Sequence, residues 1–413
     1  MADSLEKRLE NFAELIVRSG LALKEGQELF VSAPVQCADF TRKVVAHAYA
    51  AGARHVTVSY RDEQISRLSL DHAPLEVFEQ FPAWQAERQN SLARQGAAVL
   101  TILSEDPDAL TGVDQQKVQA RTRASHEALK EYYDALDFGK LSWCIVGAAS
   151  EGWATKVFPD EEPDQAVEHL WREILDTSRV DDDPIAAWEA HKQSFEARKA
   201  WLNEHHFDHL HYTAANGTDL TIGLIPSSHW EGGGQLGADG TYFFPNIPTE
   251  EIFTSPDRMR VDGIVYSALP LIANGARVED FWVRFEKGRA VECDAKTGAD
   301  VLQSIIDIDE GSCRLGECSL VPHDSPIAQT GILFFETLYD ENASCHLAFG
   351  KGFPETLEGG YEMDDKKLKE AGVNVSATHV DFMVGTPDLD ITGVTLDGEE
   401  IPVFRDGTWA FEI

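Results

Sequence analysis

An alternation of apolar strands with an Ala-rich helix near the amino terminus restricts the fold of this chain more than any other feature. The apolar run at residues 29–32 and the alternating run HVTVSY at residues 55–60 are both typical of strands. Residues 37–51 between them predict a helix that ends at Gly52. Two strands joined by a helix of this length form a right-handed β-α-β unit, so the sequence predicts a parallel sheet.

The same pattern continues through the first part of the chain. Strands are predicted at residues 97–103 and 142–147, with a long polar helix at residues 114–136 between them. A charged helical segment follows at residues 164–204. No G-x-G-x-x-G fingerprint follows the first strand, so we expect structural support and dimerisation from this open α/β domain rather than nucleotide binding.

Strand patterns dominate after residue 209. Two alternating apolar runs joined by Asn216-Gly217 predict a β-hairpin. Later runs predict further strands at residues 263–268, 278–285, 290–293, 331–335, 379–384 and 391–395. The expected fold class is therefore α/β, with an open α/β domain at residues 1–190. A mixed α+β domain with a curved or barrel-like sheet is expected at residues 191–413, the boundary falling between residues 180 and 208.

The length of the chain agrees with two domains, and its charge disfavours nucleic acid as a partner. A chain of 413 residues exceeds the usual size of a single hydrophobic core. The chain has 35 basic and 71 acidic residues, and its net charge of -36 disfavours nucleic acid as a partner.

The six scattered cysteines contain no C-x-x-C pair. The charged amino terminus and the absence of an apolar run of ~20 residues predict a cytoplasmic protein without a membrane segment.

Residues 315–381 concentrate potential metal ligands. Glu317, Glu341, His346, His379 and Asp381 fall within this stretch of a chain that has 14 histidines. Carboxylate oxygens with imidazole nitrogens suit zinc, cobalt or manganese better than magnesium or calcium. His379 and Asp381 are two residues apart in a predicted strand, so both side chains emerge on one face. Taken alone, such a pair is more often the exposed decoration of an edge strand.

Residues 338–350 predict a strand end, a cap at Asp340 or Asn342 and a short helix that ends at Gly350. Glu341 and His346 would be roughly 140° apart on that helix, so they converge only if Glu341 precedes it. The alternatives are a first-turn carboxylate for Glu341 and a hydrogen-bonded core histidine for His346.

Two further segments carry carboxylates among apolar neighbours. Glu317 is flanked by apolar residues, and a buried Glu without a cation is costly, so a position between two metals would explain it. Glu250 and Glu251 are also candidates, although a capped helix start after Thr249 is the alternative for one of them. The Gly-rich residues 232–234 would let the backbone approach a ligand.

The segments NIPTEEIFTSPDR, LGECSLVP, LYDENASCHLAFG and HVDFMVGTPDLDITGV resemble, in this order, successive motifs of the M29 family of aminopeptidases, and the resemblance covers nearly the whole chain. The resemblance implies an intracellular, homodimeric metallo-aminopeptidase that binds two divalent ions, most often zinc or cobalt, with manganese or magnesium possible. It implies as ligands Glu251 (with Glu250 the less favoured neighbour), bridging Glu317, Glu341, His346, His379 and Asp381.

One position departs from the family pattern. Phe353 stands where the family has a tyrosine, and a lost hydroxyl donor at the oxyanion costs on the order of 10² to 10³ in rate. The sequence predicts hydrolysis of N-terminal residues of peptides by metal-activated water, with Glu250 or Glu317 as proton shuttle. The alternatives are that Tyr361 replaces the donor, that the enzyme hydrolyses another small amide, or that the protein is a low-activity metal-binding dimer.

Overall fold

The computed structural model describes residues 2–273 and 276–413. Within this part of the chain every helix is too short or too polar to span a bilayer. The helices are α1 Ala2–Leu15, α2 Ala38–Ala50, α3 Glu63–His72, α4 Ala83–Gln95, α5 Gln115–Ala128, α6 Lys130–Asp137, α7 Glu151–Val157, α8 Pro163–Thr177, α9 Pro184–His205, α10 Ala299–Ile306, α11 Pro326–Thr330, α12 Thr337–Asp340 and α13 Asp365–Ala371.

Strands divide into a parallel sheet and three antiparallel sheets. They are β1 Glu28–Pro34, β2 His55–Arg61, β3 Ala98–Leu103, β4 Trp143–Gly147, β5 Phe207–Thr213, β6 Asp219–Leu224, β7 Glu231–Gly232, β8 Gln235–Leu236, β9 Tyr242–Phe243, β10 Asn246–Ile247, β11 Ile252–Thr254, β12 Pro256–Tyr266, β13 Leu271–Ala273, β14 Ala276–Glu286, β15 Arg289–Thr297, β16 Leu315–Leu320, β17 His346–Gly350, β18 His379–Met383, β19 Asp390–Thr395, β20 Glu400–Arg405 and β21 Thr408–Trp409.

The chain forms two compact units. The first contains the chain up to Ala190 together with Gly234–Thr249, and the second contains His191–Gly233 and Glu250–Ile413. The sequence predicts one domain from residue 191 onward, whereas residues 234–249 belong to the first unit. Their strand β10 pairs with β4, a tertiary contact that the local pattern does not reveal.

A five-stranded parallel sheet in the order β10-β4-β3-β1-β2 forms the centre of the first unit. The predicted β-α-β unit is present, because β1 and β2 pair in parallel with Leu29 opposite Val56. Strand β3 pairs with the other edge of β1. Val31, Leu100 and Val146 in the middle of the sheet are fully buried.

The second unit contains a nine-stranded antiparallel sheet. Its path is β13-β14-β12-β6-β5-β19-β20-β21, with β15 paired to β14. The predicted hairpin is present as β5 and β6, and Gly217 adopts a positive φ of 106° in the turn. Among the described residues no sheet closes on itself, so the barrel-like form of the expected sheet is not observed.

A second antiparallel sheet in this unit, in the order β18-β17-β16-β11-β7, carries the candidate ligands. Residues 346–350 form strand β17, so the prediction of a short helix there is wrong. The predicted strand at residues 331–335 is also wrong, since these residues have no regular structure. Glu250 and Glu251 directly precede β11, and the alternative of a capped helix at that point is not observed.

Candidate metal centre

The registers of β16, β17 and β18 place the candidate ligands on one face of the sheet. Glu317 lies opposite Ala348, and Ala348 lies opposite Asp381. Directly paired residues in antiparallel strands point to the same face, so the two carboxylates flank the small methyl group of Ala348. A larger side chain at this central position would fill the space between them.

Two glycines allow the close backbone approach that this arrangement needs. A Cβ on Gly316 would lie 2.2 Å from the Lys351 carbonyl oxygen, and the register of β16 shifts at this point. Gly350 lies opposite His379 with a φ of 100°, and a Cβ there would lie 2.1 Å from the Thr378 carbonyl oxygen. Glycine is required at both positions because the neighbouring atoms belong to the backbone.

Five predicted ligands form two groups that share one carboxylate. Glu251, Glu317 and His346 form the first group, and Glu317, His379 and Asp381 form the second, with one ligand atom of each residue within 4.8 Å of the others. His346 Nε2 lies 3.2 Å from Glu251 Oε2. His379 Nε2 lies 3.1 Å from Glu317 Oε2 and 3.1 Å from Asp381 Oδ1. Donors about 2.0 Å from a tetrahedral ion are roughly 3.3 Å apart, so these donors fit a zinc-like ion.

Both histidines present Nε2 to this site because Nδ1 faces the backbone. His346 Nδ1 lies 3.0 Å from the Glu341 carbonyl oxygen and 3.1 Å from that of Ser344. His379 Nδ1 lies 2.7 Å from the Lys351 carbonyl oxygen. In the neutral ring a proton on Nδ1 is donated to these carbonyls, which leaves Nε2 with the lone pair that a metal ligand needs.

The histidines and carboxylates of the site shift one another's pKa values, because they share protons through hydrogen bonds. Burial lowers the pKa of His346, but its hydrogen bond with Glu251 and the charges of Glu251 and Glu317 outweigh burial and bring the pKa to about 10. Burial raises the pKa of the Glu317 carboxyl. Burial also acts to raise the pKa of Asp381, but the hydrogen bond from His379 and that ring's charge lower it. A divalent cation could replace these shared protons.

The structure places the other predicted ligand, Glu341, outside the two groups. It lies in a single turn of 3-10 helix, Glu341–Ala343, before β17, and its side chain is partly buried. Burial and the charges of Glu251 and Asp381 raise the pKa of its carboxyl well above the usual range. Glu341 therefore interacts electrostatically with residues of both ligand groups.

Glu250, one of the two candidates for the proton shuttle, also lies outside both groups. Its side chain is buried, and its Oε2 lies 3.9 Å from His191 Nε2. Its neighbour Glu251 belongs to the first group, so the two adjacent carboxylates have different partners.

Phe353 lies against the second ligand group. Its ring centroid is 5.0 Å from that of His379 and 5.3 Å from that of Phe253. Its backbone N–H donates to Ser255 Oγ at 2.8 Å, which fixes the segment after β17. Tyr361, the other candidate donor, lies in the one-turn helix Gly360–Glu362 and is 43% exposed.

Two polar residues of the site are missed by the sequence reasoning. The Ser319 hydroxyl donates to Glu251 Oε2 at 3.0 Å, and Asn342 accepts the Glu250 N–H at 2.7 Å. The period of two in β16 places Ser319 on the same face as Glu317, which was an available signal. Asn342 is predicted only as a possible helix cap, and no local pattern marks it as a contact of Glu250.

Comparison with known proteins identifies the family of this chain. Residues 5–409 match the model of the family described as thermophilic metalloprotease (M29). The chain belongs to the M29 family. It is 44% identical over 410 residues to aminopeptidase AmpS of Bacillus subtilis, covering 99% of this chain and 100% of the relative. It is 42% identical to aminopeptidase T of Thermus thermophilus, covering 98% of this chain and 99% of that protein.

The structure of wild-type AmpT from Thermus thermophilus matches this M29 protein with a TM-score of 0.93, covering 98% of this chain and 100% of that one. As a member of a metalloprotease family, the protein is a peptide hydrolase that uses divalent metal. The two ligand groups are where the described residues fit such an ion.

Proposed function

We propose that this M29 protein is a dinuclear aminopeptidase that hydrolyses N-terminal residues from peptides. The observation that carries the proposal is the sharing of Glu317 by two separate ligand groups. A carboxylate has two oxygens, so one side chain can bridge two ions. The names of the relatives, aminopeptidase AmpS and aminopeptidase T, support the N-terminal specificity.

Five side chains would hold the ions, and Glu341 is proposed as a sixth ligand. Mixed imidazole and carboxylate donors favour zinc or cobalt, with manganese or magnesium as less favoured choices. When bound, such ions polarise a carbonyl oxygen and lower the pKa of a coordinated water. The proposed ligands are Glu251, Glu317, Glu341, His346, His379 and Asp381.

The remaining roles are assigned to side chains around the ligands. The carboxylates of the site would bind the free ammonium group of the substrate, which provides a reason to prefer unblocked peptides. The proton shuttle is proposed to be Glu317 or Glu250. Glu317 is supported by its central position, and Glu250 by its burial directly beside Glu251.

The experiment compares an unblocked peptide with its N-acetylated form, each with zinc or cobalt supplied to chelator-treated protein. The expected result is release of free amino acids from the unblocked peptide alone, and loss of this activity without metal. Equal cleavage of both peptides, or cleavage of neither with metal bound, would contradict the aminopeptidase proposal.

Phe353 supports a second candidate function. Because its ring faces His379 without a hydroxyl, the site would bind metal but turn over peptides slowly, or hydrolyse another small amide. Full metal occupancy without turnover of any member of an unblocked peptide library would favour a metal-binding structural role. Turnover of small amides in place of peptides would favour the other hydrolase.

We also propose that the protein is a cytoplasmic homodimer. All six cysteines are free, as expected in a reducing compartment. Ile65, Leu68 and Trp84 are 63%, 56% and 67% exposed, which offers apolar surface for a second copy. Sedimentation equilibrium should give twice the chain mass, and a monomer at micromolar concentration would contradict the proposal.

A further inference from the structure

Asn342 is a fully buried amide between two segments that carry carboxylates. It lies in the 3-10 turn Glu341–Ala343, directly before the loop that leads to His346. Its backbone carbonyl accepts a hydrogen bond from Ser325 Oγ at 3.3 Å. A buried Asn needs several partners for its amide, so its contacts identify what it holds in place.

The two ends of the amide have different partners. Asn342 Oδ1 accepts the backbone N–H of Glu250 at 2.7 Å. Asn342 Nδ2 donates to the Leu338 carbonyl oxygen at 2.8 Å and lies 3.5 Å from Glu341 Oε1. The neutral side chain of Asn342 therefore contacts both Glu250, before β11, and the carboxylate of Glu341, before β17.

An amide suits this position because it is a donor and an acceptor without a charge. A carboxylate here could not donate to Glu341 and would repel it, while an apolar residue would leave the Glu250 N–H buried without this acceptor. The contact restrains the segment that contains Glu251, a member of the first ligand group.

We propose that Asn342 is a positioning residue that sets the metal affinity of the site. It holds the Glu341 carboxylate and the Glu250–Glu251 segment in the arrangement that accepts the ions. This inference rests on the proposed function, because it assumes that these carboxylates bind metal. Residues that orient metal ligands from outside the ligand set change metal affinity by about 10- to 100-fold.

The test measures zinc affinity of the full chain by competition with a chromophoric chelator, and the visible spectrum of the cobalt-loaded protein. Asn342→Ala should bind zinc about 10- to 100-fold more weakly and shift the cobalt spectrum. In a Glu341→Gln background the same substitution should have a smaller effect, because part of its action passes through Glu341.

Asn90 provides the matched control. It is partly buried in α4, its Nδ2 donates to the Ala128 carbonyl oxygen at 3.1 Å, and its Oδ1 accepts the Tyr132 backbone N–H at 3.2 Å. Asn90→Ala should lower the melting temperature without changing zinc affinity. If Asn342→Ala does not fold, Asn342→Ser replaces it with the same expectation.

The outcomes separate this inference from the proposed function. Absence of zinc binding by the wild-type protein would refute the metal site itself. Wild-type zinc affinity in a folded Asn342 variant would overturn only the positioning role. An equal loss of affinity in Asn90→Ala would also overturn it, because the effect would then be general destabilisation.

Discussion

The central strands of the parallel sheet and strand β16 are similarly buried but differ in chemistry. Strand β3 contains mostly buried apolar residues, and Leu100 within it is fully buried. Strand β16 is buried at all six positions, yet it contains Glu317 and Ser319. Burial of apolar groups stabilises the first strand, whereas burial of a carboxylate destabilises the second unless partners compensate. The buried apolar residues of β3 therefore maintain the fold, whereas Glu317 and Ser319 in β16 belong to the candidate metal centre.

Glycine use differs between the same regions for a related reason. Gly96, just before β3, has a positive φ and open space around it, so it serves a local helix end. Gly316 in β16 lies against the backbone at Lys351, so it permits contact between two distant segments. Local structure requires the first glycine, and the geometry of the metal centre requires the second.

The largest expected effect comes from removing the shared carboxylate. Glu317→Ala should lower kcat/KM by about 10³-fold or more, because several kcal/mol of transition-state stabilisation are lost with the metal. The metal-free protein should not lose stability, since a buried carboxylate is removed. Glu292, which is 57% exposed on β15, gives the control Glu292→Ala with unchanged activity. Wild-type metal content in Glu317→Ala would contradict the bridging role.

The second effect tests the apolar strand. Leu100→Ala should lower the free energy of unfolding by about 2–5 kcal/mol, because it removes a fully buried side chain from the sheet. Urea unfolding measures this change, and metal affinity of the folded protein should stay the same. Leu396→Ala, at a position 77% exposed, should change neither quantity. A loss of metal affinity in Leu100→Ala would contradict the assignment of β3 to fold stability and of β16 to metal binding.

The third effect concerns the hydroxyl that Phe353 lacks. Phe353→Tyr should raise kcat by up to about 10²-fold on unblocked peptides if the new hydroxyl reaches the developing oxyanion. The control is Phe253→Tyr. The Phe253 ring contacts Phe353, whereas the Phe353 ring is the one that contacts His379. Equal rates for wild type and Phe353→Tyr would mean that this position does not withhold activity.

The smallest expected effect is a pH dependence of the metal-free protein. The pKa of His346 is raised to about 10 in the folded state, above its value of about 6.5 in an unfolded chain. Its stabilising contribution is therefore complete below about pH 6.5 and is lost as pH rises through 10. Urea unfolding of chelator-treated protein should show this loss, and His346→Gln should reduce it. A stability that rises over this range would contradict the assignment.

Much of the fold follows from local patterns. The β-α-β unit at β1, α2 and β2 and the hairpin at Asn216-Gly217 both depend on apolar periodicity and a turn signal, which act within a few residues. The sequence predicts a helix at residues 346–350 because Asp340 or Asn342 at one end and Gly350 at the other are typical of helix caps. Strand pairing on both sides of β17 overrides these signals.

The amino-acid sequence by itself determined the family, the two kinds of sheet and the types of ligand atom available to a metal. It predicted a bridging position for Glu317, but it could not determine that Glu251 meets His346. Periodicity states which face a side chain takes, but register between strands depends on contacts far apart in the chain. The tertiary structure brings the proposed ligands together through the register shift at Gly316, the methyl group of Ala348 and the buried amide of Asn342.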